Sequence, residues 1–345
     1  MTSYIIRRLL LLPLIMLGVT LIVFSIMQLL GSDQLLSAYV DANAIDKMSP
    51  AEMEAVKEKY GLNDPWYIRY GVWLNGILHG DLGWSIVGKD KVSKAILERF
   101  PYTVELALYA ILPIIAGGIW LGIKAAVHHN KFADHSIRIF ALIGWSLPDF
   151  VFGLLILMIF YVGLGWFPPG KLGVNAEAVV ASPEFHRYTK LLTIDGLLNG
   201  RLDIFWDALR HLIGPILTMA YLWWAYLLRI TRASMLEVLR KDYIRTARAK
   251  GLSENVVINK HAKKNALIPV TTVAGQMVIG LLGGAVIVET VFNRPGIGRF
   301  AAQAAQQLDY GSIMGSLLFS SGILVFGNLV IDIVYAIVDP RIRLG

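Results

Sequence analysis

The chain has 345 residues, no cysteine, 56% hydrophobic and 17% charged residues, and a formal net charge of +7. Soluble globular domains hold about 45–50% apolar and about 25% charged residues, so this apolar excess is more than a soluble fold of this length buries and indicates an integral membrane protein. The missing cysteine excludes disulfides, thiolate zinc sites, iron–sulfur clusters and a cysteine nucleophile.

Six apolar runs follow in chain order, near residues 9–30, 104–127, 137–164, 212–230, 267–292 and 313–338. At about 1.5 Å per residue each is long enough to cross a hydrocarbon core of about 30 Å. Helices are expected, because each run must satisfy its own backbone in lipid. A β-barrel would show short alternating segments, and these runs do not alternate. Arg7 and Arg8 precede the first run as they would in a signal peptide. That run is too long for an h-region and no small-residue cleavage site follows it, so it reads as a retained helix.

Residues 229–268 hold ten Lys/Arg against Glu237, Asp242 and Glu254, which assigns this loop to the cytoplasm. Six crossings then put both termini inside, in agreement with Arg7, Arg8, Arg341 and Arg343. Topology thus accounts for the basic excess, and no nucleic-acid partner is expected. Segment 31–101 is expected outside, with a short helix over 50–59 capped by a Ser49/Glu52 capping box. A second outer segment, 164–210, is dense in turn residues. The expected organisation is a cytoplasmic N-terminus at 1–8, a first span at 9–30, an extracytoplasmic segment at 31–101 and a membrane core over 102–345. That core includes an outer loop at 171–210 and a cytoplasmic loop at 242–269.

The cytoplasmic loop is the informative segment. Residues 242–250 are good helix formers with an acidic start, Gly251 suits a left-handed stop, and Ser253 is placed to cap a second helix from Glu254. Pro269 suits the first turn of the next span. The result is a helix–Gly–helix hairpin. Its face with Tyr243, Ile244, Ala247 and Gly251 is expected to be open to another protein, with Arg245 and Arg248 off that face. A basic amphipathic loop resting on anionic lipid is the other physical reading.

Glu105 is expected in a water-reached first turn of the second span, Glu289 near the outer end of the fifth, on the translocation path or anchoring a turn, and Asp332 near the inner end of the sixth, paired with Arg7, Arg8, Arg229 or Arg232. His128, His129 and His135 form a loop cluster with no carboxylate pattern to complete a metal site, and no metal is expected. Tyr221, Trp223, Trp224 and Tyr226 cover every face of the fourth span and read as lipid or subunit packing. Gly165-Trp166-Phe167-Pro168-Pro169-Gly170-Lys171 has the spacing of a P-loop, but Leu172 replaces Ser/Thr and the prolines remove backbone donors, so it is a turn.

The run Tyr243, Arg245, Thr246, Ala247, Arg248, Ala249, Lys250, Gly251, Leu252, followed by His261, Asn265, Ala266, Leu267 and Pro269, closely resembles the coupling loop of the dipeptide/oligopeptide/nickel permease family of binding-protein-dependent ABC importers. Further segments in the family's order are similar: Tyr4-Ile5-Ile6-Arg7-Arg8-Leu9, Gly80-Asp81-Leu82-Gly83-Trp84-Ser85, the stretch from Arg99 to Leu106, Val288-Glu289-Thr290-Val291-Phe292, Pro295-Gly296-Ile297-Gly298 and Asp339-Pro340-Arg341-Ile342-Arg343. The resemblance implies an all-α membrane protein with six transmembrane helices and the type I importer permease fold. It implies a non-enzymatic subunit in a prokaryotic inner membrane. The implied partners are a homologous second permease, two ABC ATPase subunits that hold the ATP and magnesium, an extracytoplasmic binding protein and lipid. Tyr243, Arg245, Thr246, Ala247, Arg248, Gly251, His261, Asn265 and Pro269 would form the ATPase-coupling element. Peptides are the expected cargo, with oligosaccharides or nickel chelates as the alternative. A secondary transporter is the rival class, and six spans without a visible repeat argue against it.

Overall fold

The computed structural model describes residues 2–28, 35–36, 40, 45 and 47–338. Helices dominate: α1 (Thr2–Gln28), α2 (Pro50–Lys59), α3 (Trp66–Leu78), α4 (Val92–Val127), α5 (Phe132–Ser146), α6 (Asp149–Ile156), α7 (Val174–Val180), α8 (Leu192–Leu198), α9 (Leu202–Leu239), α10 (Asp242–Ala249), α11 (Glu254–Val256), α12 (Lys263–Ala266), α13 (Ile268–Leu282), α14 (Val286–Val291), α15 (Ile297–Gln306) and α16 (Tyr310–Val338). Wider π-helical turns extend α6 over Leu157–Gly163 and fill Val257–Ala262 between α11 and α12. Two-residue strands β1 (Trp84–Ser85) and β2 (Asp90–Lys91) pair antiparallel. The protein is an all-α membrane protein. Among the described residues three helices are long and apolar enough to span a bilayer, or up to five spans if each bent pair counts as one, with the apolar stretch Leu10–Ile26 of α1 besides.

Several of the apolar runs differ from continuous spans that begin and end with the run; the fourth, for one, lies inside the longer helix α9, Leu202–Leu239. The second belongs to a helix that starts at Val92, so Glu105 lies in its interior and not in a first turn. The third bends by 105° between α5 and α6. Pro148 is the cause: Leu147 before it is extended (φ −88°, ψ 131°), as a residue preceding proline prefers, and the helix restarts at Asp149. The fifth breaks after Leu282, where Gly284 takes φ +110°, a conformation open to glycine alone at little cost. By contrast α2 begins as expected: Ser49 donates its amide to Glu52 at 2.8 Å and accepts from the Glu52 amide at 3.3 Å.

The chain divides into two compact units. One comprises Met1–Thr103, Leu282–Val286 and Pro295–Gly345. In it α3 packs on α1: Tyr70 places its hydroxyl 2.9 Å from that of Thr20, and Phe24 meets the rings of Tyr70 and Trp73. Val92, Ala95 and Ile96 bury against Ile297 and Phe300. Asp309, just ahead of α16, is the polar centre of this unit. Its Oδ2 accepts the Ser85 hydroxyl at 3.1 Å, the Val87 amide at 2.9 Å and the Ser312 hydroxyl at 2.6 Å, and its Oδ1 accepts the Ser312 amide at 3.2 Å. Ser85, Asp309 and Ser312 are all fully buried.

The other unit comprises Val104–Leu281 and Ile287–Arg294. Its core is the crossing of α4 and α9. Gly117, Gly118 and Gly122 of α4 face Trp224, Leu227 and Thr231 of α9; a Cβ at Gly118 would lie 2.8 Å from the Leu227 side chain. Small residues four apart let two helices approach closely in lipid, where packing replaces the hydrophobic effect as the driving force. Tyr221 packs on Phe140 and Phe152, and Trp224 donates Nε1–H to the Pro113 carbonyl at 2.8 Å, so these two aromatics serve the chain's own core. Trp223 remains exposed.

Asp309→Ala removes the acceptor of the Ser85 hydroxyl and of the Val87 and Ser312 amides, while the Ser312 hydroxyl keeps the Ser85 oxygen at 2.6 Å. The expected loss is about 2–4 kcal/mol. It is read as a lowered unfolding midpoint and faster proteolysis of the detergent-solubilised protein, while Lys89→Ala, on the exposed side of the same turn, is neutral.

Candidate functional site

The hairpin over residues 242–269 is built from local rules. Helix α10 starts at Asp242 and ends at Ala249, with Lys250 as its C-cap. Gly251 turns the chain at φ +77°, and Ser253 occupies the N-cap of α11 with extended backbone, without a side-chain capping bond. Pro269 sits in the first turn of α13, at a 54° bend from the segment before it. Arg248 holds Glu254 across the turn at 2.7 Å, and Asn265 donates to the Tyr243 hydroxyl at 2.9 Å, tying the two ends of the hairpin. Ser234 of α9 donates to the Ala266 carbonyl at 2.8 Å and anchors the hairpin to the long helix.

The presented face differs from the one expected. Ala247 is 6% exposed and Ile244 is fully buried; both pack with Val257, Ala262, Ala266, Met235 and Val238. The expectation that Ala247 is offered to a partner is therefore corrected. At positions i and i+3, Ile244 and Ala247 form the apolar stripe of α10, and burial of that stripe under the second half of the hairpin decides its orientation. The open surface carries Tyr243 (41% exposed), Arg245, Thr246, Arg248, Ala249, Gly251 and Leu252. His261 is partly buried, and Asn265 and Pro269 are exposed.

Other expected residues lie apart. Glu289 in α14 is fully buried, and its carbonyl accepts the Arg294 amide at 2.7 Å. The pairing expected of Asp332 with Arg7, Arg8, Arg229 or Arg232 falls on side chains of Asp332, Arg7 and Arg8 outside the described residues, as does the segment 339–343. Arg232 is engaged elsewhere, by Asp134. His129 meets Arg232 at 3.1 Å, and among the described residues no group of three His, Cys, Asp or Glu is placed to hold a metal. The P-loop-like stretch is a turn: Gly165 and Gly170 have positive φ, the Gly170 amide donates to the Phe292 carbonyl at 2.7 Å, and Arg210 donates to the carbonyls of Gly165 and Trp166.

Sequence reading missed the buried pair of Glu105 and Arg294. Their side chains meet at 2.7 Å, each 1% exposed. The second Glu105 oxygen accepts the Thr193 amide at 2.7 Å and hydroxyl at 2.8 Å. This joins α4, α8 and the end of α14 within one unit. Nothing local marks it, since the partners are 189 residues apart.

Residues 118–344 match the family model described as binding-protein-dependent transport system inner membrane component, and residues 1–107 match its companion for the N-terminal part of such membrane components. The chain belongs to this family. The permease is accordingly a non-catalytic membrane subunit of a transporter. It is 41% identical to the oligopeptide transport system permease protein AppB of Bacillus subtilis (strain 168), over 99% of this chain and 100% of that protein. It is 38% identical to the dipeptide transport system permease protein DppB of Alkalihalophilus pseudofirmus over 99% and 100%, and 35% identical to DppB of Escherichia coli (strain K12) over 99% of each. The permease and these relatives are thus collinear from end to end.

Replacing Ala247 by Trp overfills the packed side of α10 and is expected to open the hairpin, seen as new protease cleavage within residues 242–266. Arg245→Ala, at a side chain 74% exposed, leaves the cleavage pattern unchanged.

Proposed function

We propose that this permease forms half of a translocation path for peptides, delivered by an extracytoplasmic binding protein and driven by ATP hydrolysis on separate subunits. The observation that carries the cargo assignment is the end-to-end likeness to permeases named for oligopeptide and dipeptide transport. The proposed assembly contains a homologous second permease, two ABC ATPases that bind ATP and magnesium, the binding protein and lipid. Both termini and residues 242–269 face the cytoplasm, on the strength of the basic excess in that loop.

In this reading the hairpin is the coupling element. A lever must be stiff within itself and yet open to its partner. Stiffness is supported by the buried Ile244/Ala247 stripe, the Asn265–Tyr243 bond and the anchor at Ser234. The open face combines an aromatic ring, small residues and guanidinium groups, a composition that suits a close fit with charge-assisted contacts at the rim. Thr246 and His261 lie within this element; Thr246 returns its hydroxyl to the Asp242 carbonyl at 3.0 Å and so stiffens α10 itself.

The test uses the complete transporter in proteoliposomes. Labelled dipeptide is expected to accumulate with ATP, competed by unlabelled peptides and not by malto-oligosaccharides; competition by the sugars alone overturns the cargo assignment. Gly251 has open space where a Cβ would go, so Gly251→Val acts through the left-handed backbone alone, at a cost of about 1–3 kcal/mol. It is expected to abolish the stimulation of ATP hydrolysis by loaded binding protein, with membrane insertion intact, whereas Gly251→Asn retains most of it. Full stimulation in Gly251→Val removes the hairpin from the coupling path.

Orientation has a separate measurement. The chain has no cysteine, so single cysteines report cleanly. With an impermeant maleimide on intact cells, cysteine at the exposed positions Ala51 and Ala181 is expected to label and cysteine at Ser253 to remain protected. The reverse pattern inverts the topology.

A further inference from the structure

Helices α5 and α9 enclose a groove of about 280 Å3 within one unit of the chain. Two stripes line it. On α5, Arg138, Leu142 and Trp145 follow one another at i, i+4 and i+7; on α9, Leu228, Arg229 and Arg232 do so at i, i+1 and i+4. Alanines at 141, 225 and 233 open the space between them. Seven residues of helix span about 10 Å, so the groove runs from Arg138 and Arg232 at its basic end to Trp145, over whose ring the Arg229 guanidinium reaches. The basic end lies on the side of the connection between α4 and α5 and of the hairpin. The apolar end continues onto the exposed side chains of Ile139, Leu142, Ile143 and Trp145.

The charges in the groove do not cancel. Asp134 is fully buried and takes Arg232 in a two-point contact, Nε to Oδ1 at 2.8 Å and Nη2 to Oδ2 at 2.7 Å. That neutralises one of three guanidinium groups. Among the described residues neither Arg138 nor Arg229 forms an ion pair. The Arg229 guanidinium instead lies over the rings of Trp145 at 5.2 Å and Tyr226 at 5.7 Å, which orients it without consuming its charge. Three positive groups against one negative leave a net +2 beside an apolar wall at the edge of two membrane helices.

We infer that this groove is a binding site for an anionic phospholipid, with the phosphate held by Arg138 and Arg229 and an acyl chain lying along Leu142 and Trp145. Guanidinium groups match phosphate oxygens in pairs of parallel hydrogen bonds, and the surrounding low dielectric strengthens them. Basic pockets between membrane helices at the positively flanked ends of spans have the chemistry for acidic headgroups. The Asp134–Arg232 pair acts here as a positioning contact. It fixes α5 against α9 and keeps the groove open to the lipid. The site is independent of the cargo and of the hairpin's role.

The test takes the full permease complex, delipidated in an uncharged detergent. Phosphatidylglycerol is expected to raise its apparent unfolding midpoint by several degrees, and phosphatidylcholine and inorganic phosphate to leave it unchanged. In Arg138→Gln/Arg229→Gln the phosphatidylglycerol shift is lost; in Arg138→Lys/Arg229→Lys, which keeps the charge, most of it remains. Arg187→Gln/Lys190→Gln, with the same loss of charge at another surface, keeps the full shift. Native mass spectrometry of the wild-type complex should retain phosphatidylglycerol in preference to phosphatidylcholine, which serves if the glutamine variant does not fold. An unchanged shift in the glutamine variant overturns the site. Equal stabilisation by inorganic phosphate overturns its assignment to lipid. Loss of the second permease from the glutamine variant before any lipid is added makes the groove a subunit interface and overturns it too.

Discussion

A peptide group in hydrocarbon has no water to bond, so every place where a helix stops within the membrane must supply a substitute partner. Helix ends in this chain, in the spans and in the segments beside them, follow the wider rule that a buried peptide group needs a partner. At the interruption after Leu282, the Ser320 hydroxyl donates to the Gly283 carbonyl at 3.2 Å. Where α12 ends, Ser234 takes the Ala266 carbonyl. The Thr103 hydroxyl accepts the first amide of α15, that of Ile297, at 2.9 Å. The turn after the bent third run gives the carbonyls of Gly165 and Trp166 to Arg210. At these positions side chains from other elements close the backbone where a helix does not.

The same constraint explains how the helices are held together. Between apolar helices in lipid there is little hydrophobic gain, so contact depends on close packing and on a few buried polar links. Glycines of α4 admit Trp224, Leu227 and Thr231 of α9 against its backbone, and the Trp224 indole then reaches the Pro113 carbonyl. Glu105 with Arg294 and Thr193, and Asp309 with Ser85 and Ser312, supply the polar links, one group in each unit. A buried ion pair adds little net stability over an apolar replacement, yet it is costly to break by removing one partner. Such pairs therefore act mainly to select one arrangement of helices over others.

Charge outside these links is sorted by what can approach it. On the hairpin, Arg245 and Arg248 are exposed and held only by local carboxylates, which leaves them available at the rim of a protein contact. In the groove between α5 and α9, Arg229 is steered by aromatic rings, and Arg138, one turn from the Asp134 carboxylate that Arg232 already holds, stands beside a wall of apolar side chains. One surface suits a water-soluble partner and the other suits lipid, although both arise from the same basic excess in the sequence.

That excess, the six apolar runs, the capping box at Ser49 and the turns at Gly251 and Pro269 were all determined by the sequence alone, because each rests on composition or on the backbone preferences of neighbouring residues. The likeness of the hairpin to a known coupling loop was legible for the same reason, being carried by contiguous residues. Which side of α10 faces inward was not. Tyr243, Ile244, Ala247 and Gly251 are near neighbours in angle, and only the position of Val257 and Ala262 beneath Ile244 and Ala247 separates a buried stripe from an open one. The 105° bend, the partnership of Glu105 with Arg294 and the groove that unites Arg138 with Arg229 were likewise settled by tertiary structure. Each brings together groups from separate helices, and the energy of a contact depends on distance in space, which a periodicity along one chain does not contain.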